Sequence, residues 1–419
     1  MARETLQLDE FVDPFEATLT VDRAPDGTIQ DVAFDLSGLP RVDSMLVGRA
    51  AVEVPDVVKR LCGICPVVHH LAGVAALDAL CCVEVVPPTA AAIRRLLNVG
   101  SIFDTIAPKY FSVDQAFAIE LKKFGKLLLA AAGCPGHFPD VAIPGGVRGY
   151  ADAEKLDAAS VQLPQIRDKA QAVLGGIVDD DPDAGTYSGA FAGYNLAAVN
   201  RDGDLDALGG WVAARREASP EKIMFPAAQW HEYVSETVPG AAAPRPVITV
   251  GQVDEQYRVG PIARTAVGAE NSATANSYSV GQAQAQLVLD ALDEAAELLA
   301  QPELLTESGG GQLVADGADA QRLAEGTGIG IIDGPRGLLV HSYTADHSGQ
   351  LIDCQILTPT AQNEPWLASM LRASLVTHGS NDGHTAIEES IRAADPCLPV
   401  SSAPQGHMNV RLAQMNPED

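Results

Sequence analysis

Two short segments near opposite ends of the chain constrain its fold more than any other feature. Arg60-Leu-Cys62-Gly-Ile-Cys65-Pro-Val-Val-His69 sets two thiols three positions apart on a glycine-relaxed turn, and Ile391-Arg-Ala-Ala-Asp395-Pro-Cys397 sets a third close to the end of a 419-residue sequence. A C-x-x-C turn can aim both sulfurs at one metal, and Pro66 is suited to open the following helix. If Cys397 shares that site, the two ends are tied together and the rest of the chain must fold around the junction. Taken alone, the pair leaves structural zinc, an iron-sulfur ligand pair and a thioredoxin-like dithiol open, although the strand-helix context of the last is absent. With a helix opening at Pro66, His69 lies about one turn beyond Cys65 and faces the same side, placed to donate a hydrogen bond to a sulfur or a bound ligand.

The composition narrows the class. Hydrophobic residues make up 47% and charged residues 20%, enough apolar material for a large core. With 55 acidic against 28 basic side chains the formal charge is -27, the wrong sign for holding nucleic acid or an anionic membrane. Met1 to Phe15 carries acidic residues where a signal peptide needs a basic start and an apolar run, and no apolar stretch reaches spanning length. Seven cysteines, an odd number in a long chain, argue against a disulfide framework and for reduced thiols, hence a cytoplasmic address.

The pattern along the chain predicts a small N-terminal sheet at about 16–37, with a turn at Pro25-Asp26-Gly27. Core-facing helices follow over 66–80 and 90–132, where apolar residues recur at three-to-four spacing. Residues 133–268, rich in Gly, Pro and Asp, read as loops and short elements. Ser272 to Ala300 reads as one long helix, and Gly309-Gly310-Gly311 as a loop lacking the context of a phosphate cradle. Strands are expected over 337–343 and 351–357, and a polar helix over 364–394. Cys81-Cys82 reads as core packing at a helix end, while Cys134 and Cys354 have no ligand partner nearby in sequence.

Taken together, the boxes resemble those of the nickel-iron hydrogenase large subunits. Arg60 to His69 is similar to R-x-C-G-x-C-x-x-x-H, and Asp395-Pro396-Cys397 to the start of D-P-C-x-x-C-x-x-H. Asp333-Gly-Pro335-Arg336-Gly337 is similar to E-A-P-R-G, Pro359-Thr360-Ala-Gln-Asn363 to P-T-x-x-N, and Val259-Gly-Pro-Ile-Ala-Arg264 to V-G-P-L-A-R. The likeness spans nearly the whole chain and is weakest from 133 to 245.

The resemblance implies an α+β, predominantly α fold with a central helical bundle and small peripheral sheets. It also implies a single domain over 1–419, with the helical core at about 50–132 and 270–300 and a C-terminal β region and metal box at about 330–412. Cys62 and Cys397 would be terminal nickel ligands and Cys65 a bridge to an iron carrying carbon monoxide and cyanide; soft thiolates suit that redox role. Pro335 and Arg336 match positions beside the diatomic ligands, and Thr360 adds a hydroxyl donor. Asp395 and Asp104 match carboxylates that would hold the arginine, though an ordinary internal salt bridge explains such a pair equally well. Phe15-Glu16-Ala17-Thr18-Leu19 aligns with I-E-G-H-L, making Glu16 the candidate proton relay. Asp43 stands where the family has a magnesium-site glutamate. A partner subunit bearing iron-sulfur clusters, and further electron-transfer subunits, would carry electrons, since this chain has no second four-cysteine set.

The C-terminal box departs from the family pattern. Cys397-Leu-Pro-Val400-Ser-Ser-Ala403 lacks the second cysteine and the histidine, and no cysteine follows position 397. Valine offers no donor atom, so an iron bridged by two thiolates lacks one bridge, while three sulfurs still suffice for one metal. Three readings stand. One is a hydrogenase-like oxidoreductase acting on hydrogen or another small molecule, at a nickel-iron centre or a single metal. Another is a silent structural or electron-relay subunit, without metal, related to the complex I quinone-site subunit. The third is a redox sensor using Cys62 and Cys65.

Overall fold

The computed structural model describes residues 13–37, 39, 41–178, 191–217, 219–269, 280–301, 304, 311–318, 323–382 and 384–414, without the side chains of 378–382. At the N-terminus, alternation of buried and exposed side chains builds β1 (Glu16–Arg23) and β2 (Ile29–Phe34), an antiparallel hairpin around Gly27, whose φ of 87 suits glycine. The helical block follows with α1 (Pro66–Leu80), α2 (Pro88–Ile106), α3 (Gln115–Ala131) and α4 (Ala153–Val178). Proline opens α1 and α2, where its missing N–H costs nothing. Asp114 caps α3 by accepting the Phe117 N–H at 2.9 Å.

Next come β3 (Tyr194–Val199), β4 (Trp211–Arg216), β5 (Lys222–Pro226) and β6 (Tyr257–Arg258), then α5 (Pro261–Gly268) and α6 (Val280–Leu299). The C-terminal part holds β7 (Gly326–Gly334), β8 (Gly337–Ala345), β9 (Leu351–Leu357), α7 (Pro359–Asp382), α8 (His384–Ala394) and β10 (Asn409–Gln414). Strands β7, β8 and β9 form an antiparallel meander, and β6-β3-β4-β5 form a second sheet. Strand β10 returns to pair in parallel with β1, Glu16 opposite Asn409, so the two ends of the described chain lie side by side. Among the described residues no helix is long and apolar enough to cross a membrane. The architecture is α+β, with small sheets around a helical centre.

Two expectations need correction. The stretch 133–268 is not mainly loops: it contains the 26-residue α4 despite Pro164, together with β3, β4 and β5. Buried Leu156, Ala159, Leu163, Ile166, Ala170 and Leu174 carry the helical spacing that local Gly and Pro content had outweighed. The polar helix expected at 364–394 is two helices, α7 and α8, the first opening earlier, at Pro359. The start of the helix expected from Ser272 and Gly309-Gly310 lie outside the described residues.

The junction that positions the site is the packing of α1 on β7. Gly328 and Gly330 face the helix at the two-residue period of the strand, and a Cβ on them would lie 2.2 Å from the Ala76 carbonyl and 2.1 Å from the Ala72 carbonyl. Backbone thus meets backbone, and the helix that starts at Cys65 is pressed against the meander that carries Arg336. Strand β8 is buried on both faces. Leu339, Tyr343 and Ala345 join the core shared with the helices, while Leu338 and Val340 join the core shared with β3 and β4.

Candidate metal centre

Cys62 and Cys65 lie on the turn that leads into α1, and Cys397 follows α8; the fold brings their sulfurs together. Cys62 Sγ is 3.1 Å from Cys397 Sγ, Cys65 Sγ is 4.0 Å from it, and all three lie within 4.8 Å of one another. The backbone N–H groups of Ile64 and Cys65 both donate to Cys62 Sγ at 3.4 Å. Cys62 is therefore held well below the usual thiol range, chiefly by the sulfur-sulfur hydrogen bond from Cys397 and then that from Cys65. Cys65 and Cys397 are pushed up, first because their protons sit in those same bonds and then by burial. The cluster thus concentrates one thiolate charge and resists two more until a cation enters.

The third cysteine is placed by its own box. Asp395 adopts a left-handed backbone, φ 46, which turns the chain out of α8, and the Cys397 N–H then donates to Thr360 Oγ1 at 2.8 Å. Asp395 Oδ2 lies 3.2 Å from Arg336 Nε, and Asp395 Oδ1 lies 2.7 Å from Lys109 Nζ. Burial opposes the Arg336 charge, but Asp395 and the cysteines more than offset it, so the guanidinium stays charged. Its Nη1 is buried with no hydrogen-bond partner among the described residues. Arg336, Pro335, Thr360, His69 and the three cysteines line a cavity whose other walls include apolar Val42, Leu61 and Ile356.

Three sulfur donors backed by a cationic side chain with an unused donor fit a soft metal carrying a small acceptor ligand. They do not supply the four thiolates of a doubly bridged pair of metals. Val400 is 3% exposed and Ala403 2%, and both belong to an apolar cluster with Ala17 and Leu19 of β1 and Ile391 of α8. The positions of the missing cysteine and histidine are thus filled by core packing. Glu388 of α8, itself buried, accepts the N–H groups of Gly406 and Met408 and holds the segment that follows.

Three residues expected at the site are engaged elsewhere. Asp104 pairs with Lys122 and Lys126 of α3 at 2.8 and 2.7 Å, not with Arg336; the second cation beside the arginine's carboxylate is Lys109. Asp43 lines the cavity, but its carboxylate is taken by Arg41, whose Nε lies 2.8 Å away, and by the Ile356 N–H, so it is not a fourth member of the cysteine group. Glu16 opens β1, and its side chain pairs with Arg411 of β10 at 3.1 Å rather than lining the cavity. His69 does line it, although its Nδ1 faces His341 Nε2 at 3.1 Å. Sequence reasoning missed His341, Tyr343, Lys109 and Arg41. The odd-numbered alternation of 339, 341 and 343 on a strand would have put the first two on the α1 side, whereas Lys109 and Arg41 carried no local signal.

Comparison with known proteins finds similarity to hydrogenases. A family model described as nickel-dependent hydrogenase matches residues 41–108. The chain is 26% identical to one of the subunits of the vhu F420-non-reducing hydrogenase of Methanocaldococcus jannaschii, over 85% of this chain and 94% of that one. It is 28% identical to an F420-non-reducing hydrogenase chain of Methanothermobacter thermautotrophicus and 24% identical to the beta chain of the NAD-reducing hydrogenase HoxS of Cupriavidus necator, each over 91% of both chains. Its fold superposes on an NAD+-reducing [NiFe]-hydrogenase crystal structure in the H2-reduced state with a TM-score of 0.77, at 24% identity, covering 93% of this chain and 97% of that one. The fold is that of the nickel-iron hydrogenases. Along most of its length the chain is similar to subunits of these hydrogenases, and Val400 and Ala403 stand where the family pattern has a cysteine and a histidine.

Proposed function

We propose that this protein is the catalytic-type large subunit of a hydrogenase-like oxidoreductase complex, in which Cys62, Cys65 and Cys397 hold a single redox-active soft metal. The observation that carries the reading is the convergence of three sulfurs from the two ends of the chain within 4.8 Å, in a cavity that also presents the unpartnered Nη1 of Arg336. Bound there, such a metal would supply reversible electron transfer to a small molecule, hydrogen or another reducible substrate. The chain's own groups do the rest. Arg336 offers a fixed charge and donor in a mostly apolar cavity, Asp395 and Lys109 orient it, and Thr360 anchors the Cys397 backbone. Electrons would leave through an iron-sulfur partner subunit. The relatives' names, each that of one component of a larger hydrogenase, fit such an assembly.

A second reading is favoured by one specific observation. Val400 and Ala403 are integrated in the core, as expected if the site has been retired and the protein serves as a structural or relay element. Metal analysis of the anaerobically purified complex, combined with infrared spectroscopy in the carbonyl and cyanide stretching region, separates the cases. About one nickel, cobalt or iron per chain, lost on replacing any of the three cysteines with serine, is the expected result. Equal nickel and iron with carbonyl and cyanide bands would restore the two-metal centre. No metal in the fully assembled complex would overturn the oxidoreductase reading in favour of the silent subunit.

A further inference from the structure

His69, His341 and Tyr343 form a buried hydrogen-bonded chain that ends at the thiolate cavity. His69 Nδ1 lies 3.1 Å from His341 Nε2, and His341 Nδ1 lies 2.6 Å from the Tyr343 hydroxyl. All three are essentially inaccessible: His69 is 3% exposed and the other two 0%. The geometry follows from two periods. His69 and Gly73 stand one turn apart on α1, while His341 and Tyr343 stand two residues apart on β8 and share a face. Gly73 makes room for the last member, since a Cβ there would lie 3.0 Å from the Tyr343 hydroxyl.

The direction of the hydrogen bonds is set at the far end. Among the described residues His341 is the sole hydrogen-bond partner of the Tyr343 hydroxyl. If His341 donated from Nδ1, the phenolic proton would be buried without an acceptor, a costly arrangement, so Tyr343 donates to Nδ1. His341 must then carry its proton on Nε2 and donate to His69 Nδ1. His69 in turn carries its proton on Nε2, the nitrogen left for the cavity it lines. Burial keeps both imidazoles neutral, holding His69 down to about 4 and His341 well below its usual range.

We propose that Tyr343 and His341 are positioning residues that lock His69 as the Nε2–H tautomer, so that a neutral N–H donor faces the three sulfurs and whatever they bind. The inference rests on the metal reading for its purpose, but not for its test, because the tautomer exists in metal-free protein. A donor of this kind lowers electron density on a thiolate without adding a charge, which is how an outer hydrogen bond tunes a sulfur-ligated centre.

The test is nitrogen NMR of the full-length chain labelled with ¹⁵N-histidine, in which protonated and unprotonated ring nitrogens are widely separated. His69 is expected to show a protonated Nε2 and an unprotonated Nδ1. Tyr343→Phe should release the lock, moving a detectable fraction of His69 to the Nδ1–H form. His341→Gln should keep the wild-type pattern, since the amide can donate to Nδ1 as the imidazole does. A wild-type His69 protonated on Nδ1 overturns the proposal, as does a folded Tyr343→Phe protein whose His69 pattern is unchanged. If Tyr343→Phe does not fold, the wild-type spectrum decides. Titration with Co(II) then tests the metal reading separately: no sulfur-to-cobalt absorption with the tautomer intact would remove the metal site and leave the lock standing.

Discussion

The link between the two ends of the site can be measured through Asp395 and Arg336. Their side chains are 8% and 12% exposed and 3.2 Å apart, so at an effective dielectric constant of about 20 the gross attraction is about 5 kcal/mol. Most of that is offset by the desolvation both groups suffer, and removing one partner leaves the other buried and unpaired. Asp395→Asn is the suitable perturbation, because asparagine tolerates the left-handed φ of 46 and leaves the turn in place. We expect it to lower the unfolding free energy by about 3 kcal/mol, the lower end for a broken buried pair. Arg336→Met should cost a similar amount. The double variant should cost about 4 kcal/mol rather than about 6, a coupling of about 2 kcal/mol. Urea denaturation followed by tryptophan fluorescence on all four proteins gives the cycle. Additivity within about 0.5 kcal/mol would refute the idea that Asp395 and Arg336 act as one unit, and would leave Lys109 as the functional partner of the carboxylate.

Further expectations concern the fold and the rest of the site. Gly330→Ala would drive a Cβ to 2.1 Å from the Ala72 carbonyl and should destabilise by about 3 kcal/mol or more, read by the same denaturation; a neutral outcome would contradict the close packing of α1 on β7. His70 is held neutral down to about 4, by burial first and then by the charge of Lys59, while its Nε2 accepts the Ala142 N–H at 3.0 Å. The unfolded chain takes up that proton near 6.5, so it binds more protons between pH 6.5 and 4. His70 should therefore account for about 3 kcal/mol of the stability lost as pH drops through that window, beside the shares of buried His69 and His341, and His70→Gln should make the slope shallower by that share. Glu16→Gln breaks only a half-exposed pair with Arg411 and should change stability by less than about 1 kcal/mol; a larger loss would mean the carboxylate has a buried partner. Val400→Cys replaces one small buried side chain by another and should fold with a loss of about 1 kcal/mol, while metal analysis reports whether a fourth sulfur reaches the cluster.

Much of the site was legible in the sequence because its members occur in short local motifs. The spacing of Cys62 and Cys65, the proline that opens α1, and Asp395-Pro396-Cys397 are each dictated by a turn of a few residues. The helices and hairpins with clear apolar periodicity were legible for the same reason, and α4 was obscured only because its one proline and flanking glycines resemble loop composition. Asp104 and Glu16 show the limit. Their positions in the family pattern suggested contacts, but the lysines of α3 and an arginine of β10 are nearer competitors for those carboxylates, and a pairwise electrostatic choice is settled by distance in space.

By itself, then, the sequence determined the donor set: three thiols that must meet if they share a metal, and a Val400 that cannot join them. Only the tertiary structure decided how they meet. The parallel pairing of β10 with β1, the glycine contact of α1 with β7, and the left-handed turn at Asp395 bring distant segments to one cavity. The chain His69, His341 and Tyr343 belongs to the same category, because it joins a helix to a strand far away in sequence. Local chemistry is written in neighbouring residues. Which carboxylate meets which cation, and which nitrogen of a histidine holds the proton, depends on groups that become neighbours only after folding.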